Sequence, residues 1–258
     1  MPRRSGCTKG VRVRAGLAGL TGLAGLALVA ATASAAAAAP ATPAAARSPA
    51  AAPCAAANHG EVRFAPGHGH HVVFAAAAKY HSSYAVVTEC AKRHGHWRQV
   101  LRVPGRVGSS GFAPPGAKRE GDGRTPSGSY SMNLAFGLGD PGTRLRYHKL
   151  RASHECWGST IGTRQYNRYF HGTCRSTDED LVKIARAGQY RQAAVINYNR
   201  PPDSPIRQGL GSAIFLHING SGATAGCVSV SAADVRTILR SLAPGDRIVM
   251  GTAATLFG

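Results

Sequence analysis

The sequence is short of acidic residues. Twelve Asp and Glu stand against 31 Lys and Arg, which gives a formal net charge of +19. A surface of this charge favours polyanionic partners. The basic residues are scattered, however, and they lack the interleaved aromatic residues of RNA-binding modules, so nucleic acid is not the expected partner.

A long apolar run is also absent. The uncharged stretch LAGLTGLAGLALVAA at 17–31 is shorter than the about 20 residues of a comfortable membrane span. It follows a basic segment without acids and precedes the small residues ATASA. This order predicts a secretory signal peptide over residues 1–39, and a retained anchor is the alternative. Contact with a membrane is expected only through an uncleaved signal.

The chain after the signal divides into two parts. Residues 40–57 are rich in Ala and Pro and are predicted to form a disordered or semi-extended linker. Residues 58–258 are long enough for one sizeable core, and they show no internal repeat. For an exported protein, the expected polyanion is cell-wall material.

Residues 58–258 are predicted to be mostly β with a few short helices. Runs rich in Val, Phe, Tyr and Trp predict strands, and turn residues separate them. The predicted strands cover 61–65, 70–76, 83–90, 97–103, 129–132, 193–199, 212–219 and 247–250. Helices are predicted over 178–188, capped by Thr177 or Asp178, and over 231–246, capped by Ser231.

The chain has six cysteines. Cys7 falls within the predicted signal and five remain, so at least one thiol stays unpaired within the mature chain. Disulfides are expected in the oxidising environment of an exported protein. Cys156 and Cys174 flank one stretch and form the natural local pair, and the next pair is then Cys54 with Cys90. Cys227 is left over, although spacing alone leaves other pairings open.

Two groups of histidines raise the question of chemistry. His59, His68, His70 and His71 cluster near the start of the domain, but Gly-rich flanks and the lack of Cys or carboxylate partners favour surface residues over a metal site. No metal or organic cofactor is expected. His217 ends the apolar strand AIFLH, ten residues before Cys227, and is either a satisfied half-buried residue or a catalytic one.

Cys227 has the surroundings that thiolate attack requires. His217 can reach it if the segment INGSGATAG folds back over the end of the strand. The backbone N–H groups of Ala225, Gly226 and Cys227 could stabilise an oxyanion, and Gly226 permits close approach of a substrate carbonyl. If an imidazolium stabilises the thiolate, the pKa of Cys227 falls below the free-cysteine value of about 8.5.

Two motifs carry a resemblance to a known family. FLHINGSGATAGCVSV at 215–230 resembles the active-site signature of the L,D-transpeptidase catalytic domain, or YkuD domain, in which a His precedes Ser/Thr-x-Gly-Cys. Here these residues are His217, Thr224, Gly226 and Cys227. KREGDGRTPSGSY at 118–130 is similar to the second hallmark of the family. The resemblance covers about residues 60–250 and points to an exported subgroup with a YkuD-type β-sandwich or mixed sheets over 58–258.

The resemblance implies a reaction on peptidoglycan stem peptides in the cell wall. Cys227 would attack a tetrapeptide stem, release the terminal D-Ala and form a thioester. The side-chain amine of a second stem would then make a 3→3 cross-link. His217 would be the general base, Gly226 would supply an oxyanion N–H, and carbapenems would acylate Cys227. An L,D-carboxypeptidase using water and a non-catalytic wall-binding protein are the alternatives.

The chain departs from the family pattern near the nucleophile. Many members have His at the position of Ala225 and Arg at the position of Ser229, so the departures bear on substrate placement and leave catalysis by His217 in place. Thr224 and Ser229 are the substrate-binding residues expected here, although Thr224 could instead support the loop. The segment REGDGRTPSG is expected to be architectural, with Asp122 accepting hydrogen bonds from local N–H groups.

Overall fold

The computed structural model describes residues 53–151 and 153–258. The predicted signal peptide and residues 40–52 of the predicted linker lie outside the described residues. Helix α1, Pro53–His59, begins inside the predicted linker. Pro53 and Cys54 are buried, and Cys54 forms a disulfide with Cys90. The chain from Pro53 onward is therefore part of the folded body, which corrects the linker boundary.

The described chain is mostly β with four short helices, as the sequence predicts. The strands are β1 His71–Ala77, β2 Tyr84–Arg93, β3 His96–Arg106, β4 Phe112–Ala113, β5 Thr125–Pro126, β6 Gly128–Ser131, β7 Leu134–Gly137, β8 Arg146–Lys149, β9 Glu155–Trp157, β10 Tyr169–His171, β11 Glu179–Asp180, β12 Gln192–Val195, β13 Phe215–Ile218, β14 Val228–Val230 and β15 Arg247–Thr252. The remaining helices are α2 Leu181–Arg186, α3 Ala232–Ser241 and α4 Ala253–Phe257.

Ten strands form one mixed sheet in the order β6-β15-β1-β2-β3-β14-β13-β12-β7-β8. The β1–β15, β13–β14 and β7–β8 pairs are parallel, and the other pairs in this sheet are antiparallel. A smaller sheet has the order β10-β9-β11. Because parallel β13 and β14 lie side by side, the residues just before β14 lie next to the start of β13.

Several predicted elements differ from the structure. The helix predicted over 231–246 ends at Ser241, and the strands predicted over 193–199 and 212–219 are shorter, at Gln192–Val195 and Phe215–Ile218. Residues 61–65 form no strand, because the Arg63 N–H donates to Leu256 O and Val62 and Phe64 pack beside the sheet. Helix α2 begins at Leu181 with Asp180 as its N-cap, which accepts from Lys183 N, rather than with Thr177 or Asp178. Ser231 caps α3 as predicted, accepting from Asp234 N at 3.2 Å.

The structure contains both expected disulfides. Cys54 pairs with Cys90, and Cys156 pairs with Cys174 across a sequence separation of 18. Within the described residues, Cys227 is the free cysteine. This pairing leaves the Cys227 thiol available for chemistry.

The clustered histidines bind protein groups or face solvent. His71 Nδ1 contacts Glu89 Oε1 at 2.6 Å, whereas His59, His68 and His70 are exposed. Across residues 53–151 and 153–258, no three His, Cys, Asp or Glu side chains are grouped so that they could hold a metal ion. No helix in this described part of the chain is long and apolar enough to cross a membrane.

Candidate functional site

Cys227 lies directly before β14 and beside the start of β13. Val228 pairs with Leu216, so Cys227 is adjacent to Phe215. The Phe215 N–H donates to Cys227 Sγ at 3.4 Å, and the thiol donates to Ala213 O at 3.2 Å. The thiol is buried in an apolar cluster with Phe215. Two backbone groups of one neighbouring segment therefore fix the position of the sulfur.

Two threonine hydroxyls hold the backbone of the nucleophile. Thr224 Oγ1 donates to Cys227 O at 2.7 Å, and Thr125 Oγ1 donates to the same oxygen at 3.3 Å. Thr224 Oγ1 also accepts from the Gly226 N–H at 3.1 Å. Thr224 thus supports the loop. The Gly226 N–H is already bonded inside this turn, which corrects the expectation that it is open to an oxyanion.

Gly226 is required by its backbone and by its neighbours. Its φ is +155°, a value that L side chains rarely adopt. A Cβ at this position would lie 2.9 Å from Arg124 O and 3.3 Å from Ile214 Cδ1. The glycine therefore lets the nucleophile turn pack directly against the 118–130 segment.

His217 lies on the same face of β13 as Phe215, because side chains alternate along a strand. Its Nδ1 donates to Ile218 O at 2.8 Å, and its ring packs edge-on against Tyr190 with centroids 5.1 Å apart. Since a carbonyl oxygen only accepts, this bond assigns the proton to Nδ1 and leaves Nε2 as the acceptor. Burial lowers the pKa of His217 to about 4, and the Ile218 carbonyl offsets part of that effect.

One small pocket brings the predicted catalytic residues together. It has a volume of about 170 Å³ and is lined by residues that include His217, Cys227, Tyr190 and Glu179. Thr224 and Ala225 form another part of its wall. The cavity therefore exposes a thiol and a neutral imidazole to the same small space.

Tyr190 and Glu179 are functional candidates that the sequence does not reveal. The Tyr190 hydroxyl donates to Glu179 Oε2 at 2.5 Å and also interacts with the Cys227 thiol. Burial raises the pKa of Glu179 to about 7, the Tyr190 hydrogen bond opposes this shift, and the charge of Glu120 adds to it. A single Glu and a single Tyr form no recognisable motif. Glu179 and Tyr190 come together because the chain turns back on itself after α2, which lies between them in the sequence.

The thiol and the imidazole form a neutral pair. Burial raises the pKa of Cys227, and the charge of Glu179 raises it further. Hydrogen bonds from Phe215 N and Tyr190 oppose these effects without reversing them. Because the pKa of His217 is lowered at the same time, the expected thiolate–imidazolium pair is replaced by a protonated thiol beside a neutral histidine.

Comparison with known proteins identifies the domain. The family model of the L,D-transpeptidase catalytic domain, YkuD, matches residues 91–250. The chain belongs to this family. Membership supports an L,D-transpeptidase-type enzyme of the cell wall. No curated protein matches the sequence.

One solved structure shows a weaker similarity. It is a fused Zn-dependent amidase/peptidase/peptidoglycan-binding domain-containing protein from Clostridium acetobutylicum, with 11% identity and a TM-score of 0.33. The alignment covers 78% of this chain and 59% of that chain. A TM-score of this size is too low to argue a shared fold.

Ser229 occupies a different environment from the cavity of this L,D-transpeptidase domain. It pairs with His217 across β13 and β14, its side chain is fully buried, and its Oγ donates to Asn219 Oδ1 at 2.8 Å. These contacts correct the expectation of a substrate contact. Ser229 instead ties the loop after β13 to β14.

The second motif of the L,D-transpeptidase domain is built around Asp122. Its carboxylate accepts from Lys118 Nζ at 2.7 Å, from Arg119 N at 2.8 Å and from Arg124 N at 2.8 Å. Burial alone would raise the pKa of Asp122, but these hydrogen bonds outweigh it and the pKa is lowered. The carboxylate thus organises the turn that supports Gly226 and Cys227.

Asp122→Ala is expected to lower the melting temperature and to leave acylation of the folded protein largely intact. The loss of charge-assisted hydrogen bonds from a partly exposed group costs about 2 kcal/mol, which corresponds to a shift of about 4–8 °C in a domain of this size. Calorimetry and mass spectrometry of the acyl-enzyme measure the two effects. A folded, stable variant that is not acylated would contradict the architectural role.

Asp122→Asn provides the matched control, because it keeps an acceptor oxygen and removes the charge. The folded-state pKa of Asp122 is below its ordinary value of 3.8. The stabilisation by the charge is therefore complete above the unfolded-state pKa and is lost as the pH falls through the folded-state pKa. The stability difference between the wild type and Asp122→Asn should shrink below about pH 4.

Proposed function

We propose that the chain is a peptidoglycan L,D-transpeptidase that forms 3→3 cross-links through a Cys227 thioester drawn from tetrapeptide stems. The observation that carries this proposal is the cavity shared by the free thiol of Cys227 and the neutral imidazole of His217. Family membership supplies the substrate class. The peptidoglycan stem peptides are the proposed partners, and carbapenems are the proposed inhibitors.

Acylation begins with transfer of one proton. His217 Nε2 takes the Cys227 thiol proton as the sulfur attacks the carbonyl after the L-centre of the third stem residue. The bond from Nδ1 to Ile218 O stabilises the imidazolium that forms. The imidazolium then protonates the departing nitrogen of D-Ala, the C–N bond breaks, and the thioester remains.

Transfer reverses these proton movements. His217 Nε2 accepts a proton from the side-chain amine of a second stem as that amine attacks the thioester carbonyl. The C–S bond breaks, and the proton returns to the Cys227 sulfur. Because Thr224 already accepts from the Gly226 N–H, we assign the oxyanion to the Cys227 N–H, the neighbouring backbone donor.

The mechanism uses proton transfer during attack instead of a preformed thiolate. The raised pKa of Cys227 and the lowered pKa of His217 both favour the neutral pair before substrate binds. Because the pKa of His217 is lowered to about 4, its Nε2 carries a free lone pair throughout the neutral pH range. Tyr190 positions the thiol and connects it to Glu179.

The pH dependence of alkylation tests this neutral pair. The rate of Cys227 alkylation by iodoacetamide should rise with an apparent pKa above the free-cysteine value of about 8.5. Glu179→Gln should lower that apparent pKa, since the carboxylate charge raises the pKa of the thiol. Mass spectrometry over a pH series measures both. An apparent pKa below 8.5 in the wild type would restore the ion-pair mechanism.

The proposed reaction is tested with purified protein and a disaccharide-tetrapeptide. Mass analysis should show a cross-linked dimer that has lost one D-Ala, and Cys227→Ala should yield none. A tripeptide without a dimer would identify the L,D-carboxypeptidase, in which water takes the place of the amine. The absence of any product would favour a non-catalytic wall-binding protein.

The proposed site of action is the cell wall outside the cytoplasm. The two disulfides are of the kind that persists in oxidising compartments. The predicted signal peptide and the excess of basic residues agree with export to an anionic wall. N-terminal sequencing of the secreted protein tests whether residues 1–39 are removed.

A further inference from the structure

A second and larger cleft lies apart from the Cys227 cavity. Its volume is about 470 Å³, and it opens between strands β7 and β8 of the large sheet and strands β9 and β10 of the small sheet. Apolar and aromatic side chains form part of its wall, namely Leu134, Phe136, Trp157 and Leu181. None of the roles assigned above accounts for this cleft.

Three arginines line the same cleft: Arg146, Arg168 and Arg200. The Arg200 guanidinium stacks over Trp157, with Cζ 4.9 Å from the ring centroid, and its Nη1 donates to Asn197 Oδ1 at 3.0 Å. Its Nε is buried without a partner in the described structure. Arg146 and Arg168 are exposed. The cleft therefore combines one anchored guanidinium with two exposed ones.

The three positive charges are close enough to repel one another. Burial, together with the charges of Arg168 and Arg146, lowers the pKa of Arg200 to about 10. No carboxylate lines the cleft, and across residues 53–151 and 153–258 none of the three guanidinium groups forms an ion pair with an acid. An anion bound here would relieve this repulsion and would satisfy the free donors.

Glu155, which contacts two residues of the cleft wall, already has partners. Glu155 Oε2 contacts His148 Nε2 at 2.6 Å and accepts from the Tyr169 hydroxyl at 3.2 Å, and Glu155 Oε1 accepts from Arg151 N at 2.7 Å. His148 and Tyr169 line the cleft, whereas Glu155 does not. The anion that this arginine cluster fits must therefore come from a ligand.

We propose that this cleft binds the C-terminal carboxylate of the acceptor stem peptide. This assignment rests on the proposed transpeptidase function. A planar guanidinium fork matches a carboxylate in two parallel hydrogen bonds, and the apolar wall fits the methyl group of a terminal alanine. The cleft thus recognises a short peptide that ends in a small apolar residue with a free carboxylate.

Distance distinguishes the acceptor from the donor. Strand β7 is three neighbours from β14 in the sheet order, which corresponds to about 14 Å at a strand spacing of about 4.8 Å. The terminal carboxylate of the donor lies one residue beyond the attacked carbonyl, within about 4 Å. The terminal carboxylate of the acceptor is separated from its attacking side-chain amine by about 10 Å. With about 3 Å more between the attacking amine and the attacked carbonyl, the reach of the acceptor comes close to this separation, whereas the reach of the donor falls far short of it.

Binding is measured without turnover in the full chain carrying Cys227→Ala. Calorimetry compares a stem tetrapeptide that ends in a free carboxylate with the same peptide ending in an amide. The amide should bind about tenfold more weakly, as expected for the loss of a charge-assisted hydrogen bond at a partly exposed site. Adding Arg146→Gln and Arg168→Gln should remove the difference between the two peptides.

A matched control separates the cleft from net charge. Arg93 and Arg98 are exposed on the β2–β3 hairpin, and Arg93→Gln with Arg98→Gln removes the same two charges elsewhere. This control should keep the discrimination between the two peptides. Two results would overturn the proposal. In the first, the protein with both arginines intact binds the acid and the amide equally well. In the second, the discrimination between them persists without Arg146 and Arg168. Binding of glycerol phosphate oligomers in the cleft without any discrimination between the peptides would also overturn it.

Turnover provides an independent test with wild-type Cys227. In Arg146→Gln/Arg168→Gln, the KM for the acceptor should rise about tenfold, and transfer should be impaired more than formation of the acyl-enzyme. An unchanged acceptor KM would contradict the acceptor site. If the wild type forms no acyl-enzyme at Cys227, the proposed function is refuted instead. The binding measurement does not depend on acyl-enzyme formation, because it is made with Cys227→Ala. The two failures are therefore distinguishable.

Discussion

Cys227→Ala is expected to abolish the thioester, the cross-linked product and the carbapenem adduct while the domain remains folded. The thiol is the atom that forms the covalent bond, and an alanine methyl group cannot replace it. The cavity would change little, because the substitution removes one sulfur atom held by Phe215 N and Ala213 O. Intact-protein mass spectrometry measures adduct formation, and thermal unfolding confirms the fold.

Thr224, in the loop just before β14, supplies the control for the Cys227→Ala experiment. Thr224→Val removes the hydroxyl that bonds Cys227 O and the Gly226 N–H but keeps the thiol, so the acyl-enzyme should still form, at a reduced rate. A carbapenem adduct on another residue, or full activity in Cys227→Ala, would end the assignment of Cys227 as the nucleophile.

His217→Ala is expected to slow acylation by about 10²–10⁴-fold, the usual contribution of general-base catalysis. The variant keeps Cys227 but removes the imidazole that takes its proton during attack. Because the pKa of His217 is lowered to about 4, the wild-type acylation rate should persist as the pH falls towards 4. It should then decline as the imidazole becomes protonated. Single-turnover acylation across this pH range measures both effects.

The acid limb of this pH profile is specific to His217. It should disappear in His217→Ala if the imidazole is the base, whereas a purely structural defect would lower the rate and leave the limb in place. Tyr190→Phe is the matched control, because it removes the hydroxyl that donates to Glu179 and keeps the ring packed against His217. Its acid limb should match that of the wild type.

The parts of the fold that the sequence predicts are those with local causes. The strands β1, β2 and β3 follow from short runs of Val, Phe, Tyr and Trp, and Ser231 caps α3 through a bond to Asp234 N. Helix α2 starts later than predicted because Asp178 accepts from Ser159 N and Arg175 N, while Glu179 and Asp180 pair with β9. Tertiary contacts with distant residues thus override a local cap signal.

The same distinction holds for the site. The cysteine count and the His-to-Cys spacing predict the shared cavity, because β13 and β14 are close in the chain. The bond between the Gly226 N–H and Thr224 depends on the exact turn, which spacing does not specify. The Tyr190–Glu179 contact depends on how the chain turns back after α2, and the cleft with Arg146 and Arg200 brings together segments that are distant in sequence. No pattern of residue types predicts such pairs.

The position of β15 has a consequence for the order of folding. This strand lies between β6 and β1, and the Asp246 carboxylate just before it accepts from the His71 N–H across a sequence separation of 175. The pairing of β6 and β1 through β15 therefore cannot form until residues 247–252 are available to fold. Pairing between strands that are distant in sequence is slow. If the chain is exported with its N-terminal end first, this part of the sheet would therefore remain unpaired during export. The β6 edge of the large sheet would join β1 only after β15 arrives.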